Sequence, residues 1–418
     1  MGYTENLIDF IGKSTDCYHA VKTAKDRLDE NGFTELFEGD KWDVQSGGKY
    51  YVIRNSSSII AFEMPKKDFG AFMICASHTD SPSFKLKPDF EINADGCIKL
   101  SVEGYGGMIM SSWLDRPLSI SGRIVTAKNG KVETKLVNID RDLLVIPSLA
   151  IHMSRDINKG YEFNIRRDMC PIASEKNGRI EDIIAENVGV DKEEILGFDL
   201  SLYNRMRGTV LGADGEYFSA PRIDDLQCMY STLEGFLNSE SDDNVNVFAA
   251  FDNEEVGSGT KQGAKSSFLR DVLERICNNS ETYKRAVAKS FMLSCDNAHA
   301  VHPNFADKSD GTNRVYMNGG IVIKYNANQR YTTDAVSEAV VKYVCKNAGV
   351  PYQMYANRSD IPGGSTLGNL SNEKVSLNTA DIGLAQLAMH SSYETAGSRD
   401  TEYMVKMIKE FYKTEIVL

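Results

Sequence analysis

Nowhere in this 418-residue chain does an uninterrupted apolar run approach the ~18 residues that would span a bilayer. Its first residues, MGYTENLIDFIGKSTD, lack the basic start and apolar continuation of a secretory leader. Excess basic charge is missing too: the net charge is −12, which argues against unassisted binding to nucleic acid or anionic lipid. The eight cysteines form no CxxC and no close pair, and several sit inside apolar runs such as FMICAS, the pattern of buried free thiols in a reducing compartment. Repeats and low-complexity tracts are also absent. The expectation is a soluble cytoplasmic protein with neither nucleic acid nor membrane as a partner.

What is present is an α/β pattern interrupted once. The length predicts two or three domains, and a 42% hydrophobic fraction leaves ample apolar surface for a sizeable core. Residues 16–31 read as an amphipathic helix with Asp16 as N-cap and Gly32 as the stop, and KYYVIRN, SSIIAFEMP and FGAFMICAS follow as strands. From residue 87 to 218 the chain turns to short alternating segments between Gly, Asn and Asp turns, a β-rich insertion closed by the charged, helix-prone stretch NGRIEDIIAENVGVDKEEILGFDL. Strands and amphipathic helices then alternate again. The predicted fold class is α/β, a mixed central sheet covered by helices on both faces, in a discontinuous domain of residues 1–86 and 219–418 around the inserted 87–218.

Several apolar strands stop at metal-ligand residues. FMICAS runs into His78 and Asp80, VFAAF into Asp252, Glu254 and Glu255, and FMLSC into Asp296; APRIDDL adds Asp224 and Asp225, and LAMHSS adds His390. An HTD or DNEE at a strand end is, taken singly, more often a solvated turn or a helix N-terminus. In an open α/β sheet, however, ligands bind outside the carboxyl ends of the strands, so these groups are placed to share one crevice. Imidazole and carboxylate without thiolate suit zinc, cobalt or manganese, and buried acids this close would repel unless divalent cations offset their charge. Two metals about 3.5–4 Å apart would use the whole set.

These residues resemble a known family. HTDSPSFKLKP, YGGMIMSSWLDRPLSISGRI, PSLAIHMSR, APRIDDL, FDNEEVGS, SCDNAHAVHPN, GGIVIKYNANQRYTT and LAMHSS look like the motifs of the M18, or aspartyl aminopeptidase, family, in family order from about residue 70 to 395. The resemblance implies a zinc-peptidase-like catalytic domain split by a β-rich dimerisation domain, with dimers assembling into a dodecamer. It implies two divalent ions per subunit, Zn²⁺ with Mn²⁺ or Co²⁺ as alternatives, held by His78, Asp224 as the bridge, Glu255, Asp296 and His390. Glu254 matches the general base, and Asp80 the acid that orients His78. His152 matches a histidine that reaches a neighbouring subunit's active site, and Lys324 a lysine near the pocket for the first residue of the substrate. His299 and His302 stay outside the ligand set, their motif favouring places that line the pocket or support the ligands from behind, and Asp252 is expected as a structural acceptor. The chain departs from the family pattern at Ala388, Tyr393, Ile361 and Pro362, all outside that ligand set.

The expected activity is removal of the N-terminal residue from peptides with a free N-terminus, with a preference for Asp and Glu. Three alternatives keep other parts of the pattern: an aminopeptidase of broader or non-acidic specificity, a metal-dependent amidohydrolase or deacylase of small N-acyl compounds, and a non-catalytic scaffold that retains the metal site.

Overall fold

The computed structural model describes residues 2–128, 130–175, 178–240, 243–277, 279–361 and 363–416, so Pro362 lies outside the described residues. The chain divides into two units, one of Met1–Asp80, Gly208–Met389 and Glu394–Leu418, the other of Ser81–Arg207 and His390–Tyr393. The breaks therefore fall after Asp80 and before Gly208, against the expected 87 and 218. Residue 87 lies within a strand, Ser83–Ala94.

The first unit is built on a nine-stranded sheet. In chain order its strands are β1 (Thr34–Glu35), β2 (Lys49–Arg54), β3 (Ser58–Glu63), β4 (Phe72–His78), β5 (Val245–Phe251), β6 (Phe291–Cys295), β7 (Ile321–Tyr325), β8 (Tyr352–Ala356) and β9 (Asn378–Gly383). Across the sheet they run β1-β2-β3-β5-β4-β6-β9-β7-β8. The pairs β5–β4, β4–β6 and β6–β9 are parallel, whereas β2–β3, β3–β5 and β9–β7 are antiparallel. The fold is thus the mixed α/β class expected.

Alternation explains why the central strands are apolar throughout. Met73 and Cys75 of β4 join Phe248, Ala250, Phe291 and Leu293 in one core, while Phe72, Ile74 and Ala76 join Val245, Val247, Ala249 and Met292 in the core on the opposite face. Helices Ile223–Leu237 and Asp400–Lys413 supply the first core, and helix Phe268–Ile276 the second. Each fully buried Phe or Leu here contributes about 1.5–3 kcal/mol. The early helix is Cys17–Glu30, and the Asp16 side chain accepts from the backbone N–H groups of Tyr18 and His19 as an N-cap should. A smaller sheet in the same unit orders Thr209–Leu211, Tyr217–Ala220, Glu394–Gly397, Ala385–Leu387 and Ala298–His299.

The second unit is β-rich, with a six-stranded sheet whose recorded pairs are all antiparallel. One face carries Phe84, Leu100, Ile120 and Leu202, on which Ile180 and Ile184 of helix Ile180–Val188 pack. The helix-prone reading of the closing stretch holds only for its first half. Gly189, at φ 69°, ends the helix, and Ile195–Asn204 is a strand that buries Leu200 and Leu202. Among the described residues no helix is long and apolar enough to cross a membrane, and the cysteines are free thiols.

Candidate metal centre

Three neighbouring parallel strands deliver the site. The register of β5 on β4 sets Phe251 opposite His78, so residues 252–255 emerge beside the histidine. On the other flank of β4, β6 ends at Cys295, one residue before Asp296. Parallel pairing is what brings these carboxyl ends to one edge. Asp224 and Asp225 come from the start of helix Ile223–Leu237, where both have non-helical backbone angles and the peptide between them is cis.

His78 is the hub and is buried. Its Nε2 lies 3.3 Å from Asp224 Oδ1 and 3.9 Å from Asp296 Oδ1, and its backbone N–H donates to Asp225 Oδ2 at 3.1 Å. Donor atoms of His78, Asp224, Asp225 and Asp296 all lie within 4.8 Å of one another, as do those of His78, Glu254 and Glu255. Asp225, left out of the ligand set expected from sequence, is therefore part of the cluster.

Asp80 does more than the resemblance implied. Its carbonyl is the nearest partner of His78 Nδ1, at 3.0 Å, with its carboxylate Oδ1 at 3.4 Å. The two carboxylate oxygens also accept from the backbone N–H groups of Glu254 and Glu255, each at 3.1 Å. One acid thus holds both the imidazole and the turn that carries the adjacent glutamates.

The electrostatics express crowding. Burial disfavours a charged imidazole, yet Asp225, Asp224, Asp296 and Asp80 hold His78 well above its ordinary pKa. Burial, reinforced by neighbouring acids, pushes Asp225 and Glu255 well above the carboxylate range and Glu254 to about 8. Burial acts the same way on Asp296, but Lys324 and His78 outweigh it and hold that carboxyl well below its usual range. An imidazole among clustered acids, with no thiolate, is a donor set that fits a divalent cation such as zinc, manganese or cobalt. Such an ion would carry the positive charge these carboxylates need in order to ionise together.

The remaining expected residues fall as follows. Lys324 on β7 is 3% exposed, ion-pairs with Asp296 Oδ2 at 3.3 Å and donates to the Asn297 carbonyl at 2.8 Å. His390 lies in the segment grouped with the second unit, its Nδ1 2.6 Å from the Gly107 carbonyl. His152 is exposed in a turn of that second unit. Asp252 is the structural acceptor expected: its oxygens take the Asn253 backbone N–H and the Gln262 amide. Neither His299 nor His302 belongs to any metal-capable group among the described residues. Sequence reasoning missed Glu394, a buried acid whose Oε2 accepts the backbone N–H of Asp224 at 3.0 Å, because it closes the polar run HSSYE that reads as a loop.

The family model for "Aminopeptidase I zinc metalloprotease (M18)" matches residues 10–412. The chain belongs to the M18 family. As an M18 member it is a metal-dependent aminopeptidase. It is 45% identical over 428 residues to the "Probable M18 family aminopeptidase 2" of Clostridium acetobutylicum, with 98% of each chain covered. Among solved structures, one of the Ape4 and Nbr1 complex superposes with a TM-score of 0.96 at 35% identity, over 98% of this M18 chain and 85% of that one. A dodecamer of mApe1 from S. cerevisiae does so with a TM-score of 0.86 at 29% identity, over 98% and 96%.

Proposed function

We propose that this M18 aminopeptidase binds two zinc ions, removes acidic residues from the N-termini of peptides, and works as a cytoplasmic homo-oligomer. The observation that carries the reading is the convergence of His78, Asp224, Asp296, Glu254 and Glu255 at one sheet edge. His78, Asp224, Glu255 and Asp296 would hold the metals, Asp224 as the bridge, and His390 enters as the fifth ligand from the family resemblance. Manganese or cobalt would suit the same donors. When bound, the metal ions supply Lewis acidity to the peptide carbonyl and lower the pKa of the attacking water.

The chain's own residues supply the rest. Glu254, not assigned as a ligand, accepts a proton from the attacking water as its oxygen adds to the carbonyl carbon. It then delivers that proton to the departing amine nitrogen as the C–N bond breaks. Asp80 steadies both ends of this arrangement through His78 Nδ1 and the Glu254–Glu255 backbone. Lys324 has used two of its three ammonium protons on Asp296 and Asn297, and the third would meet an acidic substrate side chain. His152 would bind substrate in a neighbouring subunit, and the β-rich unit would mediate dimerisation. The dodecameric relative supports assembly into dimers and beyond.

A single experiment tests the metal dependence and the substrate preference. Metal-depleted protein, reconstituted separately with Zn²⁺, Mn²⁺ and Co²⁺, is assayed on Asp-, Glu- and Leu-terminated peptides and on N-acyl amino acids. Metal-dependent release, fastest from Asp and Glu peptides, is expected. Equal rates on Leu peptides would leave an aminopeptidase of broad specificity, and hydrolysis confined to N-acyl compounds would overturn the peptidase reading.

A further inference from the structure

Asp224 and Asp296 reach the cluster from separate segments, and behind it a chain of buried side chains joins them. Glu394 Oε2 accepts the Asp224 backbone N–H at 3.0 Å, and Glu394 Oε1 accepts from Gln386 Nε2 at 3.3 Å. Asn297 Nδ2 donates both to Gln386 Oε1, at 3.0 Å, and to Gln227 Oε1, at 2.8 Å. Gln227 Nε2 then donates to Thr401 Oγ1 at 3.1 Å. The Asn297 carbonyl accepts Lys324 Nζ, the ammonium that pairs with Asp296. None of Gln227, Asn297, Gln386, Glu394 and Thr401 is more than 2% exposed.

The small sheet explains how distant segments meet here. Ala220 lies opposite Glu394, Gln386 opposite Ala396, and Ala298 opposite Ala385. Directionality is dictated as well. A backbone N–H can only donate, so Glu394 Oε2 accepts from Asp224, and with Glu394 Oε1 accepting from Gln386 Nε2 the Gln386 oxygen is the atom turned toward Asn297. Asn297 then presents both amide protons to the two glutamines. A buried network with one consistent set of donors and acceptors is rigid, and removing any member leaves a polar group unpaired.

We propose that Glu394, Gln386 and Asn297 are positioning residues for the reaction. Through them the Asp224 backbone and the Lys324-held Asp296 are fixed at one spacing before metal arrives. The proposal rests on the reading of Asp224 and Asp296 as metal ligands, and it gives the three residues no contact with substrate.

The test is zinc affinity, measured by competition with a chromophoric chelator, on Gln386→Leu, Glu394→Gln and, as a control, Asp224→Asn. The thermal unfolding of each metal-free protein is followed in parallel. Gln386→Leu is expected to weaken zinc binding 10–100-fold. Glu394→Gln should weaken it less, because its amide oxygen can still accept from Asp224. In zinc-saturated Gln386→Leu, kcat should fall with KM nearly unchanged. Parent-like affinity in Gln386→Leu and Glu394→Gln, with a loss in Asp224→Asn, overturns the proposal and leaves the ligand reading standing. Parent-like affinity in Asp224→Asn sinks the ligand reading, and the proposal with it. A role in folding alone would lower the metal-free unfolding temperature without moving the affinity, which also overturns the proposal. If Gln386→Leu does not fold, the isosteric Glu394→Gln decides by the same affinity criterion.

Discussion

Asp80 holds two backbone N–H groups with one carboxylate, and Asp80→Asn turns one of those acceptors into a donor facing a donor. The variant should lose about 1–3 kcal/mol of stability, and kcat should fall because the Glu254 turn loosens; denaturant unfolding with steady-state kinetics checks both. Glu254→Gln keeps the shape of the site and removes the proposed proton carrier. Its kcat should drop by roughly 10²–10⁴ at unchanged metal content, and a parent-like rate would move the base elsewhere. Asp400, far along the chain at the start of the last helix, offers a stability test. Burial pushes its pKa up to about 7, although the backbone N–H groups of Asn318 and Gly320 donate to it. A raised acid pKa means the folded state holds the proton that the unfolded state has lost, so this contribution is full below about pH 4 and disappears as pH rises to about 7. Asp400→Asn should flatten the fall in melting temperature between those limits, and an identical slope in parent and variant would remove Asp400 from the account.

At the scale of elements, legibility followed burial and alternation. The strands β4 and β5 could be read because both faces of each are packed, which leaves unbroken runs such as FMICAS and VNVFAAF. β9, NTADIG, escaped because its polar members are satisfied internally: Asp381 takes the Thr332 backbone and hydroxyl and the Thr366 hydroxyl, pairings that no local spacing announces. The same reason hid Glu394, Gln386 and Asn297, whose partners, the Gln386–Glu394 contact apart, are tens to hundreds of residues away. His78, Asp224, Glu254, Glu255 and Asp296 were legible because each stands at the end of a recognisable element; what each one does came from motif resemblance. β9 also carries a prediction. A Cβ on Gly383 would lie 1.9 Å from the backbone oxygen of Asp296, an atom that cannot swing aside. Gly383→Ala should therefore displace Asp296, costing about 1–3 kcal/mol of overpacking and weakening metal binding. Calorimetric unfolding and chelator competition would show it, and an unchanged metal affinity would mean that Asp296 is not needed as a ligand.

For the whole molecule the question is whether one subunit makes a complete site. The turn that carries His152 also exposes Leu149, Ile151 and Met153, at 53%, 47% and 77% of their surface, an apolar run that favours being covered. If a second copy covers it and His152 serves that copy's site, catalysis needs two subunits even though the residues gathered around His78 come from one. Complementation separates this from a site complete in each chain. His152→Ala keeps Glu254 and lacks the reaching histidine, whereas Glu254→Gln keeps the histidine and lacks the base, so each variant alone should be nearly inactive. Co-assembled at equal amounts, a site works when its own chain carries Glu254 and its neighbour carries His152. Random mixing in a symmetric assembly makes that about a quarter of all sites. Recovery to that level, measured on peptide release after the two variants are co-expressed and purified as one oligomer, is the expected result. If instead His152 serves its own chain, every site in the mixture lacks one of the two groups and no activity returns.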